Sequence, residues 1–294
     1  IKFKNLESLA LEAMLSTATA DELGKRDYAR HGFMSVNEEH ESVSKNLEYG
    51  FDDWCIAQFA KSQGDNETYR EYMIRSQAYK HIFDKSCGFM CPRQNGSWKE
   101  NFDPKEIDFN FTEANSWQYT FYVPHDILGF IELMGGNEAF EAKLDELFST
   151  GSETHGKDLK DITGLIGQYV HGNEPSHHIA YMYNYCGKPT KTQKVVRQIM
   201  SEMYNTTPAG SCGNEDCGQM SAWYVLSAMG FYPINPANGV YDIGSPIFDT
   251  VQINLENGKK CLIVAHDNSP ENIYVGKMEI NGKPYTKSYI LHSD

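Results

Sequence analysis

The chain lacks most of the short motifs that announce a chemistry. It has no G-x-S-x-G nucleophile elbow, no phosphate-binding Walker loop, no G-x-G-x-x-G turn and no EF-hand loop. No apolar run is long enough to span a membrane, and no signal peptide opens the sequence. Ile1 stands where an initiator Met would, so the chain reads as trimmed or partial. There is no repeat of fixed period and no low-complexity segment, which excludes solenoid and fibrous classes. Basic residues are in the minority: 26 Lys and Arg against 40 Asp and Glu give a formal net charge of −14. Such a surface repels phosphate backbones, so nucleic acid is not an expected partner. The seven cysteines, Cys55, Cys87, Cys91, Cys186, Cys212, Cys217 and Cys261, leave at least one unpaired. The spacings Cys87-x-x-x-Cys91 and Cys212-x-x-x-x-Cys217 do not make a zinc pattern with each other. Buried free thiols are expected, with one local disulfide as the alternative.

What is present is an ordinary globular composition over 294 residues, 40% hydrophobic and 13% aromatic, enough for a large core. Eighteen Tyr, fifteen Phe and four Trp offer flat faces to sugar rings, although core packing accounts for most such residues. Four N-x-[ST] acceptors occur, at Asn66, Asn95, Asn110 and Asn205. Apolar spacing predicts helices over 1–24, 43–63, 66–83, 114–122, 124–134, 137–148, 175–186, 190–204 and 216–230. Residues 25–45 read as a loop, and 84–112 as a long excursion. After Asn235 the period becomes two, with strands near 240–244, 248–255, 259–266, 272–276 and 286–291. Glu256-Asn257-Gly258 and Asn281-Gly282 supply turns. The expected architecture is therefore mainly α: helical hairpins over 1–237, then a small antiparallel β-rich segment over 238–294.

Three polar clusters lie at loop-to-helix junctions, where rigid helices can aim side chains into one pocket. The first, Phe111-Thr-Glu113-Ala-Asn-Ser-Trp117-Gln-Tyr119, sets a carboxyl before an aromatic helix. Trp117 and Tyr119 walling Glu113 would raise its pKa and suit it to general-acid work. The plainer alternative is that Glu113 caps the helix with Thr112. The second, His171-Gly-Asn173-Glu174-Pro-Ser-His177-His178, carries the amide and carboxylate oxygens that calcium prefers. Its alternative is a polar N-cap with surface histidines. The third, Gly213-Asn214-Glu215-Asp216-Cys-Gly-Gln219, holds an acid doublet that needs a cation, backbone N–H groups or a water to deprotonate. Its alternative is simple complementarity to a helix dipole. Glu113, Glu174 and Asp216 supply more carboxylates than the two that glycoside hydrolysis requires, leaving one for a metal.

Together these clusters resemble glycoside hydrolase family 92, which removes α-linked mannose from chain ends. The run Gly213-Asn-Glu-Asp-Cys-Gly-Gln-Met-Ser-Ala-Trp-Tyr-Val-Leu-Ser-Ala-Met-Gly-Phe-Tyr-Pro233 is long and specific. Val43-Ser-Lys-Asn-Leu-Glu-Tyr49, Phe51-Asp-Asp-Trp-Cys-Ile-Ala57 and Gly244-Ser-Pro-Ile-Phe-Asp249 match as well. The resemblance implies an N-terminal β-sandwich followed by an (α/α)6 barrel, of which this chain is the later part. The missing sandwich region is then an expected partner. It also implies secretion, to the periplasm, cell surface or medium, and a calcium-dependent inverting mechanism on α-mannoside glycans, with α-1,2 linkages expected. By motif, Glu113 is the general acid and Asp216 the general base. Asn214 stands where the family often has an assisting Asp, with Glu215 beside it, and Ala114 stands where Gly often follows the acid. Asn173 and Glu174 would hold Ca2+, while Trp117, Gln118, His171, His177 and His178 are candidate sugar contacts. An inverting pair needs carboxyls roughly 6.5–9.5 Å apart. The other readings are a glycosidase of different sugar specificity and a carbohydrate-binding or inactive fragment.

Overall fold

A computed structural model describes residues 3, 5–157 and 162–293. It is rich in helices and carries several small sheets, all antiparallel except the pairing of Glu106–Ile107 with His155–Gly156. The chain divides into two compact units, one of residues 1–134 and 153–159, the other of 135–152 and 160–294.

The first unit holds α1 (Glu7–Ala18), α2 (Lys25–His31), α3 (Ser42–Ser62), α4 (Asn66–Arg75), α5 (Ser116–Tyr119) and α6 (Ile127–Met134). Helix α3 pairs with α4 as the expected hairpin, and Leu11, Met14 and Leu15 of α1 pack against their shared core of Ile56, Ala57 and Tyr72. Asp65 caps α4 by accepting from the Thr68 N–H at 3.0 Å. The pair is locked by Arg75, which forks onto buried Asp53 with Nε and Nη2 contacts of 3.1 Å each.

Several boundaries differ from expectation. The helix expected over 1–24 ends at Ala18; residues 1, 2 and 4 lie outside the described residues. Gly24, the expected stop, is instead the left-handed N-cap of α2, and α2 itself occupies residues 25–31 of the expected 25–45 loop. Its φ of 72° favours glycine at position 24, and a Cβ there would also lie 2.3 Å from Met34 Sδ and push that side chain aside. The helix expected over 66–83 stops at Arg75 and continues as a 3₁₀ turn, Ala78–His81. Residues 114–122 form a single helical turn, and Pro124 precedes α6 rather than opening it.

The second unit holds α7 (Asn137–Ser149), α8 (Pro189–Glu202) and α9 (Gln219–Met229). The helix expected at 175–186 is two 3₁₀ segments, Glu174–Ser176 and Ile179–Asn184. Every residue of the latter is buried, and Tyr181 donates to Ser227 Oγ at 2.8 Å. An apolar run enclosed on all sides has no amphipathic stripe to fix the α period. The tail forms three separate antiparallel sheets. Val240–Ile243 lies between Phe231–Tyr232 and Tyr289–Leu291, while Thr250–Asn254 pairs with Lys260–Val264 around the expected Asn257-Gly258 turn. No strand forms at 272–276. Asn281 and Gly282, at φ 52° and 75°, instead join Met278–Ile280 directly to Lys283–Tyr285. Two left-handed residues make the tight hairpin turn that brings the strands that close. Among the described residues no helix is long and apolar enough to cross a membrane.

Candidate active site

In the first unit, the loop carrying Glu113 is pinned to the start of α3. Val43 N–H donates to Asn110 O at 3.1 Å, and Thr112 N–H to Ser44 Oγ at 2.8 Å. Glu113 is exposed, with a left-handed φ of 52°. It does not cap the helix behind it. Asn115 does, accepting from Trp117 N–H at 3.0 Å, while Asn115 N–H donates to Gln118 Oε1 at 2.9 Å in a reciprocal box. Gln118 is thereby committed to the cap. Trp117 and Tyr119, the aromatic residues that follow Glu113, are 3% and 1% exposed. Trp117 meets the ring of Phe89 edge-to-face, with centroids 4.6 Å apart. Tyr119 donates to Glu48 Oε1 at 3.1 Å. Burial pushes the Glu48 and Asp52 carboxyls up. These two acids lie one turn apart on α3, and sequence reasoning assigned them no role. Their i, i+4 spacing was the available signal.

In the second unit the other two clusters come together. Their backbones touch at two glycines: a Cβ on Gly213 would lie 2.4 Å from Gly172 O, and Gly213 sits at φ 70°. Behind this contact is a buried hydrogen-bonded cage. Tyr169 donates to His171 Nδ1 (2.8 Å), His171 Nε2 donates to Tyr204 (2.6 Å), and Tyr204 donates to Met220 O (3.1 Å). That chain of donors assigns the His171 tautomer. His177 Nε2 donates to His171 O (2.9 Å), and its Nδ1 accepts from Gln219 Nε2 (3.1 Å). Trp223 Nε1 donates to His177 O at 2.9 Å, and its ring meets His171 edge-to-face at 4.4 Å.

Burial, with the neighbouring His177, pushes His171 down to about 2, and burial pushes His177 down to about 4. Both rings are therefore neutral at physiological pH, with their nitrogens occupied by protein partners. His178 is also buried, at 5% exposure. The surface histidines of the plainer alternative are thus not what is found. Tyr204, which helps complete the cage, lies outside both motifs and carried no local signal, whereas Tyr169 stands two residues before His171 and Tyr232, which accepts from Gln219 Nε2 at 3.1 Å, falls inside the Gly213–Pro233 run.

Asn214, Glu215 and Asp216 are exposed on the loop entering α9. Asp216, Cys217 and Gly218 are left-handed in succession, at φ 41°, 57° and 92°. Glu215 Oε1 accepts from Ser221 N–H at 3.2 Å, and Asp216 O from Gln219 N–H at 3.1 Å. The helix begins at Gln219 with left-handed Gly218 at the N-cap position, and the Glu215 carboxylate serves its first turn at Ser221 N–H, as the plainer reading of the doublet expects.

Asn173 is 7% exposed and Glu174 half-buried. Among the described residues, Glu174 joins no cluster of three or more His, Cys, Asp or Glu ligand atoms. An amide and a carboxylate oxygen nevertheless suit a hard cation, which takes further oxygens from backbone carbonyls and water.

The model of the glycosyl hydrolase family 92 catalytic domain matches residues 1–294, and the chain belongs to that family. A secreted glycosidase of Arthroderma benhamiae is 30% identical over 280 residues, covering 85% of this chain and 34% of that protein. A family 92 α-mannosidase of Bacteroides thetaiotaomicron, solved with mannoimidazole, is 40% identical with a TM-score of 0.93. The match takes in 98% of this chain and 39% of that one. A family 92 inverting mannosidase of the same organism is 37% identical, with a TM-score of 0.88, over 98% of this chain and 41% of that one. The chain thus spans well under half the length of these relatives.

Proposed function

We propose that this chain is the later part of an exported, calcium-dependent exo-α-mannosidase that inverts anomeric configuration, with its helices belonging to an (α/α)6 barrel. The observation carrying the catalytic assignment is shared by the two candidate carboxylates. Glu113 and Asp216 are both exposed, non-glycine and left-handed, in loops tied down by hydrogen bonds from Thr112 N–H to Ser44 Oγ and from Ser221 N–H to Glu215 Oε1. A backbone held in that region is retained where the fold over-determines it, and such residues gather at active sites. Glu113 protonates the departing glycosidic oxygen, and Asp216 takes a proton from the attacking water. Glu215 and Asn214 orient that water. His171 and His177, neutral and fully engaged, hold the Gly172 and Gly213 loops rigid beneath the sugar, and Trp117 and Gln118 hold the Glu113 loop. Asn173 and Glu174 would hold Ca2+, which when bound orients sugar hydroxyls and withdraws electron density. Mannose as the sugar, and inversion, are supported by the solved relatives. Export is supported by the secreted fungal relative.

The test is proton NMR of the full-length enzyme on α-1,2-mannobiose, with calcium and then with a chelator. Early β-mannose that disappears on chelation is the expected result. Early α-mannose would refute inversion, and chelator-resistant release would refute the calcium role. A second reading, a sugar-binding fragment without turnover, is favoured by the chain's 39% coverage of its mannosidase relative. It predicts mannobiose binding by the isolated chain and no product.

A further inference from the structure

The excursion after α4 contains a tight hairpin in which Phe83–Asp84 pairs with Phe89–Met90. Its turn is well determined. Asp84 Oδ1 accepts from both the N–H and the hydroxyl of Ser86, at 2.8 and 2.7 Å, and Gly88 N–H donates to Asp84 O at 2.8 Å. This turn brings two cysteines together: Cys87 Sγ and Cys91 Sγ are 3.4 Å apart. Cys87 is exposed and Cys91 is 2% exposed.

We propose that Cys87 and Cys91 form an oxidisable dithiol, a covalent modification site that closes to an intramolecular disulfide in exchange with a small-molecule disulfide such as oxidised glutathione. The asymmetry between the two thiols fits such a pair. The hydrogen bond from Cys91 holds the Cys87 thiol down at about 7, and the same bond, with burial, pushes Cys91 up. An exposed thiol that ionises near neutrality beside a buried resolving thiol is the arrangement that exchange requires. The Cys87 thiolate attacks one glutathione sulfur and releases one glutathione thiolate. Cys91 then gives its proton to solvent and attacks Cys87 Sγ, forming the Cys87–Cys91 bond and expelling the second glutathione. Two electrons leave the protein and reduce one disulfide to two thiols.

Asp84 lies close enough to make a three-ligand metal group with these thiols. Among the described residues no fourth His, Cys, Asp or Glu joins that group, which leaves it one ligand short of a structural zinc site and favours the dithiol. The modification bears on the Glu113 loop through packing. The bond would staple the residues flanking Phe89–Met90, and this strand backs α5. Phe89 meets Trp117, Ser116 donates to Met90 O at 2.7 Å, and Met90 N–H donates to Thr120 Oγ1 at 3.0 Å.

The test uses the native protein incubated with oxidised glutathione, then denatured, alkylated with iodoacetamide and digested with trypsin. Ser86–Arg93 carries both thiols in one peptide. The expected result is that peptide unalkylated and about 2 Da lighter than its dithiol form, shifting to double alkylation after reduction. In C91S the reaction should stop at a glutathione adduct on Cys87. Double alkylation despite oxidised glutathione, or a persistent glutathione adduct on the wild type, would overturn the proposal. Protection seen with Zn2+ alone and not with oxidised glutathione would overturn it in favour of a metal site.

Discussion

A left-handed backbone costs a side-chain-bearing residue about 1–2 kcal/mol, yet Glu113 and Asp216 both adopt it. Asn tolerates this region several-fold better than most residues. The substitution D216N therefore separates chemistry from folding: it should lower kcat roughly 10²–10⁴-fold while leaving Tm unchanged or slightly raised. E113Q should lower kcat by a similar factor on substrates with a poor leaving group, and by much less on one whose leaving group needs no protonation. Steady-state assays of the full-length enzyme on mannobiose and on an activated aryl mannoside read both. A kcat within threefold of wild type for either variant on mannobiose would remove that residue from the mechanism.

At the scale of elements, two local devices hold the candidate loops. Asn115 caps a helix of one turn, Ser116–Tyr119, whose residues are all buried. N115A should cost about 0.5–2 kcal/mol in denaturant unfolding. It should weaken activity as well, because the cap fixes where the chain leaves Glu113. G213A places a Cβ against Gly172 O at a φ of 70°, and the obstacle is backbone rather than a movable side chain. It should lower both Tm and kcat, and an alanine variant with wild-type values of both would show that the loops are not clamped there. The two longer helices bounded by clear breakers were legible in the sequence: α3 and α7 fall within a residue of the expected bounds at each end. The α5 turn was not, because an Asn cap followed by a buried aromatic run gives no stop signal. The 3₁₀ segments around Tyr181 were not legible either, since their residues are buried on every side.

Across the whole molecule, the family and its polar clusters were legible because each cluster is continuous in sequence. The cage behind them was not. Tyr169 adjoins His171 in the chain, but Tyr204, Trp223 and Tyr232 reach His171 and His177 through tertiary packing, and aromatic residues are ordinary core material elsewhere in the chain. The cage has a pH consequence. His171 and His177 are held well below the ordinary histidine range, so the unfolded chain binds protons that the folded one refuses. Their contribution is full above about 6.5 and is lost as pH falls, through about 4 for His177 and about 2 for His171. Asp242 works in the opposite sense. Burial pushes its carboxyl up to about 7, so the folded state holds a proton that the unfolded chain has released. Its contribution is full below about 4 and is lost as pH rises through about 7. D242N should therefore raise Tm at pH 8.5 relative to wild type by more than it does at pH 5.5, as scanning calorimetry would read. An equal shift at both values would mean that Asp242 is ionised throughout.

The meeting of Gly172 and Gly213 has a bearing on redesign. Two polar stretches some forty residues apart in the chain share one backbone contact: a β-carbon on Gly213 would meet the Gly172 backbone at 2.4 Å, and one on Gly172 would meet Thr163 Oγ1 at 2.2 Å with Gly213 Cα at 3.2 Å. They therefore form a single cassette. Transplanting the His171–His178 loop into a related scaffold without its Gly213 partner would deliver the side chains and lose their aim. Specificity is better retuned at exposed positions outside this joint, where an insertion in one loop does not require a matching change in the other.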